Sequence, residues 1–253
     1  MIQYVKSAYV VSFLCSCLVA QETRVSPDDG PSNYLDYLAI GIRHAAVDRG
    51  NQIIIETAAV SILFLQQYDR SMQKYSQKEG LLPKQLSRAL NIYGGRQAYP
   101  LALLGVGMTS YLRGESMKQG LSKLKYLWTS LIVTATLTET VKWATRRHRP
   151  NGSSPTSFPS GHTSGTFALA STLHGLYGWR VGVPFYLVAG LVGVQRIHDN
   201  KHWLTDVIGG AALGTAIGKG FGVAFWSEQD LPAASVESGG QNVFVLRVVF
   251  PLN

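Results

Sequence analysis

A chain of 253 residues, 46% hydrophobic and 15% charged, is long enough for one large domain or two small ones, and we read one. Charged residues are scarcer than the roughly 25% usual in soluble domains, which points to extensively buried helices. A formal charge of +8 and an isoelectric point near 9.5 attract anions such as acidic lipid or a phosphorylated substrate. No arginine-rich arm, zinc-finger spacing or repeated aromatic and basic pattern occurs, so no nucleic-acid partner is expected.

Residues 1–20 hold a single cation, Lys6, ahead of the apolar stretch AYVVSFLCSCLVA and a polar continuation from Gln21. This is the layout of a secretory signal peptide whose hydrophobic part is short for a bilayer crossing. An uncleaved anchor, or a lipoprotein-type cleavage that leaves Cys17 as the first residue, are the alternatives. Both cysteines, Cys15 and Cys17, fall in this segment, so a chain cleaved after Ala20 has no thiol. Residues 21–33, with Pro27, Gly30 and Pro31, read as a linker.

From Tyr34 onward apolar residues recur at helical spacing. The pattern predicts helices near 34–48 and 51–67, a polar connection over 69–80, a short helix near 83–92, and longer helices within 98–112, 121–148, 163–178, 181–197 and 203–226. Strand alternation is absent from these segments, so the expected fold is an all-α bundle of about six core helices in a domain spanning 34–226. Polar interruptions at Glu56, Glu139, His174, Asp206 and Lys219 leave both a soluble and a membrane-embedded bundle compatible with the segments. Small residues in GGAALGTAIG permit close helix approach in either solvent. In the tail, 227–253, the run VFVLRVVFPLN has strand composition.

Three stretches carry chemistry. In FPSGH, Pro159, Ser160 and Gly161 shape an open turn ahead of an apolar run, and a helix that starts there presents unpaired amides to an anion. His162 then faces either that anion or a packed core. In KWATRRHRP, Lys142 and Arg149 are seven apart, which on a helix puts them within about 20° of one face, where an ammonium and a planar fork grip one phosphate from two sides. Arg146, Arg147 and His148 read as the solvated end of that helix. In QRIHDNKHWLTD, the four-residue spacing lets Asp206 accept from one imidazole nitrogen of His202 and leave the other as nucleophile or base, with Arg196 a further cation. His44, His148, His174 and His198 have no comparable setting.

Taken in order, K-x6-RP, PSGH and R-x5-H-x3-D resemble the type 2 phosphatidic acid phosphatase family, which shares its fold with the vanadium-dependent haloperoxidases and bacterial class A acid phosphatases. The resemblance covers roughly residues 90–222. It departs at Gln195, where the third motif usually has serine before its arginine. It implies an acid phosphatase/vanadium haloperoxidase-like helical fold and hydrolysis of a phosphomonoester or diphosphate without metal or other cofactor. His202 is then the nucleophile, Asp206 its orienting carboxylate and His162 the general acid and base. Lys142, Arg149, Arg196, Ser160 and the Gly161 amide hold the phosphoryl oxygens.

Two other classes share these residues. A haloperoxidase binds vanadate in the same oxyanion site, but the members resembled here are generally larger. A non-catalytic envelope protein that binds anionic lipid needs none of His162, His202 and Asp206, all of which are present. Apolar helices, basic motif ends and the leader together favour a phosphorylated lipid over a soluble phosphoester, an anionic membrane surface as partner, and an extracytoplasmic, periplasm-facing site in the cell envelope.

Overall fold

The computed structural model describes Pro31 and residues 33–229. The expected leader, most of the linker and the strand-like run near the C-terminus lie outside the described residues. Among those described there are nine α-helices and no strand, in agreement with the all-α reading.

Local signals set the helix ends. Helix α1 (Tyr34–Val47) starts at Asn33, whose Oδ1 accepts from the amides of Leu35 at 2.8 Å and Asp36 at 3.0 Å. Asp48 caps α2 (Arg49–Leu65) in the same way through the Asn51 amide. The stretch 69–80, expected as a polar connection, is instead the helix α3 (Asp69–Glu79), closed by Gly80 in the left-handed region. Its mean hydropathy is low because one face is solvated, so the apolar stripe that signals a helix is thin there. Helix α4 (Lys84–Gly94) follows Pro83, and α5 (Tyr99–Leu112) has proline in its first turn. A Ser116/Gln119 capping box opens the long α6 (Met117–Thr145), and α7 (Gly161–Tyr177), α8 (Trp179–His198) and α9 (Leu204–Glu228) complete the bundle.

Helix α7 is the central element, buried between α6, α8 and α9. It lies so close to α9 because glycines recur there every fourth residue. A Cβ on Gly210 would meet the Ser160 carbonyl at 2.7 Å, one on Gly214 the Ser164 carbonyl and, at 2.8 Å, the Ala168 amide, and one on Gly218 the Ser171 side chain. At Gly214 the obstacle is backbone, which has no rotamer by which to yield. Gly214→Ala should therefore destabilise the fold by about 1–3 kcal/mol, seen as a lowered thermal midpoint; an unchanged midpoint would mean that the two helices are not in such close contact.

Two apolar clusters flank this seam. One joins Tyr37, Tyr126, Ile217, Phe221 and Phe225, with the Tyr126 hydroxyl donating to the Gly218 carbonyl at 2.7 Å. The other packs Val106, Leu127 and Leu131 against Ala168, Leu169 and Leu173. Asn51, fully buried, donates to the Ala216 carbonyl at 3.2 Å and so ties α2 to α9. The bundle thereby fixes the first turns of α7 and α9 side by side, where the Ser160 amide donates to the Asp206 carbonyl at 3.0 Å.

Candidate active site

The three motif stretches converge at this end of the bundle. In the first turn of α7, the amides of Gly161, His162 and Thr163 have no partner within the helix, since the first intrahelical bond runs from the Ser164 amide to the Ser160 carbonyl at 2.9 Å. Ser160 is fully buried and its hydroxyl accepts from Thr163 Oγ1 at 2.9 Å. A Cβ on Gly161 would stand 3.2 Å from Lys142 Nζ, so the glycine keeps backbone and ammonium in contact range. His162 is backed by the last residue of α4: a Cβ on Gly94 would lie 3.1 Å from its ring.

The electrostatics of His162 show which groups gather around it. Burial chiefly, then the positive surroundings of Arg196, His202, Lys142 and Arg149, hold its imidazole down to about 3. His202 is also held below its ordinary value, by burial first and with Arg196 and Arg149 adding to it, while Asp206 acts in the opposite direction. Two imidazoles held below their ordinary values thus lie among three cationic side chains.

Two expected geometries are corrected. Lys142 and Arg149 do not share a helix face, because α6 ends at Thr145 and Arg146 turns into the left-handed region at φ 46°. Arg149 instead reaches the site from the following loop, whose turn is held by its own amide donating to the Ser154 carbonyl at 3.0 Å. Likewise His202 precedes α9 and its Nδ1 donates to the Ser157 carbonyl at 2.7 Å, whereas Asp206 Oδ2 stands 3.6 Å away, beyond hydrogen-bond range. The tautomer is therefore fixed by a main-chain carbonyl, with Asp206 as a fully buried charge beside the ring. The outcome the spacing calls for, Nε2 with its lone pair available, is the same.

His202 is placed by a fold-back after α8. The Arg196 carbonyl accepts from the amides of Lys201 at 3.1 Å and His202 at 3.2 Å, and Asn200 takes φ 57° at the bend. Gln195, at the unusual position, is fully buried and engaged by protein groups: its Nε2 donates to Asp199 Oδ2 at 2.5 Å and its Oε1 accepts from Arg196 at 3.4 Å. Asn91 Oδ1 accepts from the same guanidinium at 2.7 Å, and Ser87 donates to Asp199 at 2.8 Å. Gln195 thus ties Arg196 to α4, a bracing role that serine is too short to fill.

Sequence reasoning overlooks several neighbours. Arg147, grouped above with solvated residues, is buried and bonds Asp206 and Asp69. Glu139 accepts from Lys142 at 3.1 Å and from Arg96 at 2.7 Å, a carboxylate beside the ammonium that phosphate would engage. Arg147 lies two residues before the motif arginine Arg149, which is a weak signal; Asp69, on α3, gives none.

The fold and site define a helical bundle with two histidines and a cluster of cationic side chains at the start of its central helix. Residues 123–229 match the family described as PAP2 superfamily. Over 88 residues the chain is 41% identical to the lipid A 1-phosphatase of Porphyromonas gingivalis, a match covering 34% of this chain and 19% of that protein, so the chain spans about a fifth of that relative's length. Its fold is similar to the crystal structure of the first transmembrane PAP2 type phosphatidylglycerolphosphate phosphatase from Bacillus subtilis, with TM-score 0.51, 21% identity and coverage of 68% of this chain and 94% of the other.

Proposed function

We propose that this protein is a phosphoric ester hydrolase that removes phosphate from a phosphorylated lipid at a membrane surface, through a phosphohistidine intermediate. The observation that carries the reading is that the charges of Arg196, Lys142 and Arg149, together with His202, act on His162 in the first turn of α7, where the helix amides have no intrahelical partner. Three cationic side chains supply the charge that transition-state oxygens require, so no metal ion is called for.

His202 Nε2 attacks phosphorus, forming the N–P bond as the ester O–P bond breaks, and His162 donates a proton to the departing alkoxide. In the second half a water attacks phosphorus, His162 takes its proton, and the N–P bond breaks to free inorganic phosphate and restore His202. His162 must be protonated for the first half, which the charge of the bound phosphate promotes. The buried charge of Asp206 stabilises the imidazolium that develops on His202.

Two observations favour a lipid. Large apolar side chains stand exposed on α5, among them Leu101, Leu104, Met108 and Leu112, and α8 and α9 are long and apolar enough to cross a membrane. The relative named a lipid A 1-phosphatase adds a phosphorylated lipid as substrate class. The test is phosphate release from phosphatidic acid, a polyprenyl diphosphate and p-nitrophenyl phosphate, each with a chelator present. Chelator-insensitive release, faster from the lipids than from the soluble ester, is the expected outcome. Abolition by chelator removes the metal-free mechanism, and release from none of the three removes the phosphatase reading.

A further inference from the structure

We propose that Arg147 and Asp69, neither of them a motif-defining position, form a buried bracket that positions Asp206 and Ser157 against His202. The inference rests on His202 as the nucleophile of the proposed reaction.

The placement begins with the end of α6. Because Arg146 takes the left-handed conformation, the next side chain turns inward, and Arg147 is buried within an otherwise exposed basic run. Its guanidinium donates to Asp206 Oδ1 at 2.5 Å, Asp69 Oδ2 at 2.6 Å and Thr205 Oγ1 at 2.8 Å. Asp69, the first residue of α3, also accepts from the Thr205 amide at 3.0 Å and hydroxyl at 2.6 Å, so it holds the first turn of α9 from a neighbouring helix. Asp206 Oδ2, the oxygen nearer His202, accepts from the Trp203 amide at 2.8 Å and from the Ser157 hydroxyl. The Ser157 amide in turn donates to the Arg147 carbonyl at 2.8 Å. The two groups that face His202 Nδ1, the Ser157 carbonyl and the Asp206 carboxylate, are therefore both anchored on Arg147, one through its main chain and one through its side chain.

The charge count points the same way. Asp69, Asp206 and Arg147 are all buried and leave an excess of one negative charge, which an isolated structural ion pair would not carry. That excess is balanced when His202 becomes an imidazolium. Among the described residues, the charged groups acting on Asp206 are His202 and Arg147, from the loop after α6; Arg196 and Arg149 act on His202, and Asp69 lies beyond Arg147. Without the guanidinium, the burial of Asp206 is no longer offset by that cation, and its carboxyl takes a proton at higher pH.

Three variants test the bracket with p-nitrophenyl phosphate: Arg147→Met, Arg147→Lys and Asp69→Asn, each beside wild type and with its thermal midpoint recorded. Arg147→Met should lower kcat by about 10- to 100-fold with KM within about twofold, and move the acid limb of kcat to higher pH by about one unit or more. Arg147→Lys should recover part of kcat and of the pH shift. Asp69→Asn should move the acid limb to lower pH, since Arg147 then serves Asp206 alone. Opposite shifts from the last variant and Arg147→Met do not arise from a general loss of folding, and if Arg147→Met fails to fold, the other two still decide.

A folded Arg147→Met protein with wild-type kcat and pH profile overturns the proposal, as do unchanged profiles in all three. If wild type itself releases no phosphate, or does so without His202, the functional reading fails instead. The bracket is then read from the His202 Nδ1–H resonance by NMR, which should move in Arg147→Met as the neighbouring Asp206 carboxylate loses its side-chain anchor if the proposal holds, and stay unchanged if it does not.

Discussion

Purified His202→Ala protein should release phosphate from any ester at least about 10⁴-fold more slowly than wild type, and should carry no label after incubation with a radioactive phosphate ester and a rapid alkaline quench. The size of the loss follows from geometry. His202 is buried and its Nδ1 is committed to the Ser157 carbonyl, so Nε2 is the one nitrogen of that ring able to reach phosphorus. With the ring gone, the remaining groups bind phosphate and stabilise charge but supply no nucleophile. The labelling arm separates the two histidines: label that persists in His202→Ala and disappears in His162→Ala would exchange their roles. The alanine also leaves the Ser157 carbonyl without its donor, at a cost of about 1–3 kcal/mol, so a thermal midpoint must accompany the assay. A folded but inactive variant supports the nucleophile; a folded variant with wild-type turnover sinks it.

What the sequence makes legible depends on how local the cause is. The starts of α1 and α4 fall within a residue of the expected ones, at Tyr34 and Lys84, and the long apolar segments declare themselves by period, whereas α6 begins at Met117 behind its Ser116/Gln119 capping box rather than at 121. The turn PSGH and the His202–Asp206 spacing are readable because each lies within about a turn of one helix start. The seven-residue helical argument that pairs Lys142 with Arg149 does not survive the end of α6 at Thr145, and Arg149 is carried by the loop instead. No pattern announces a left-handed arginine such as Arg146, because non-glycine residues enter that region only where their surroundings compel it. The same turn is what buries Arg147.

Residues recruited from distant elements are harder still. Asp69, Ser87 and Asn91 sit on α3 and α4 and reach the site only because those helices pack across the ends of α8 and α9. Gln195 looks from sequence like a damaged phosphate ligand, whereas its buried amide braces Arg196. The distinction lies in which side of the helix end α4 covers, which is a tertiary fact.

His162→Ala should show a loss that depends on the leaving group. With a lipid phosphate, whose alkoxide leaves poorly without a proton, kcat should fall by about 10²–10⁴-fold. With p-nitrophenyl phosphate the leaving phenolate needs no proton, so His202 should still be phosphorylated; the second half, which needs a base for water, should stall. Rapid mixing should then give one equivalent of nitrophenol per protein followed by a slow steady rate, with the intermediate accumulating. The pH behaviour has a matching sign. Burial and the surrounding cations hold His162 to about 3 in the empty site, and bound phosphate raises it toward the range in which it donates. Above that raised value the imidazole is neutral and protonation of the leaving group is lost, so wild-type kcat for a lipid should fall at high pH. His162→Ala should lack this basic limb because it has no such proton to lose. Equal losses on both substrates, with no burst, would assign His162 to phosphate binding and leave the leaving oxygen to be protonated by another group.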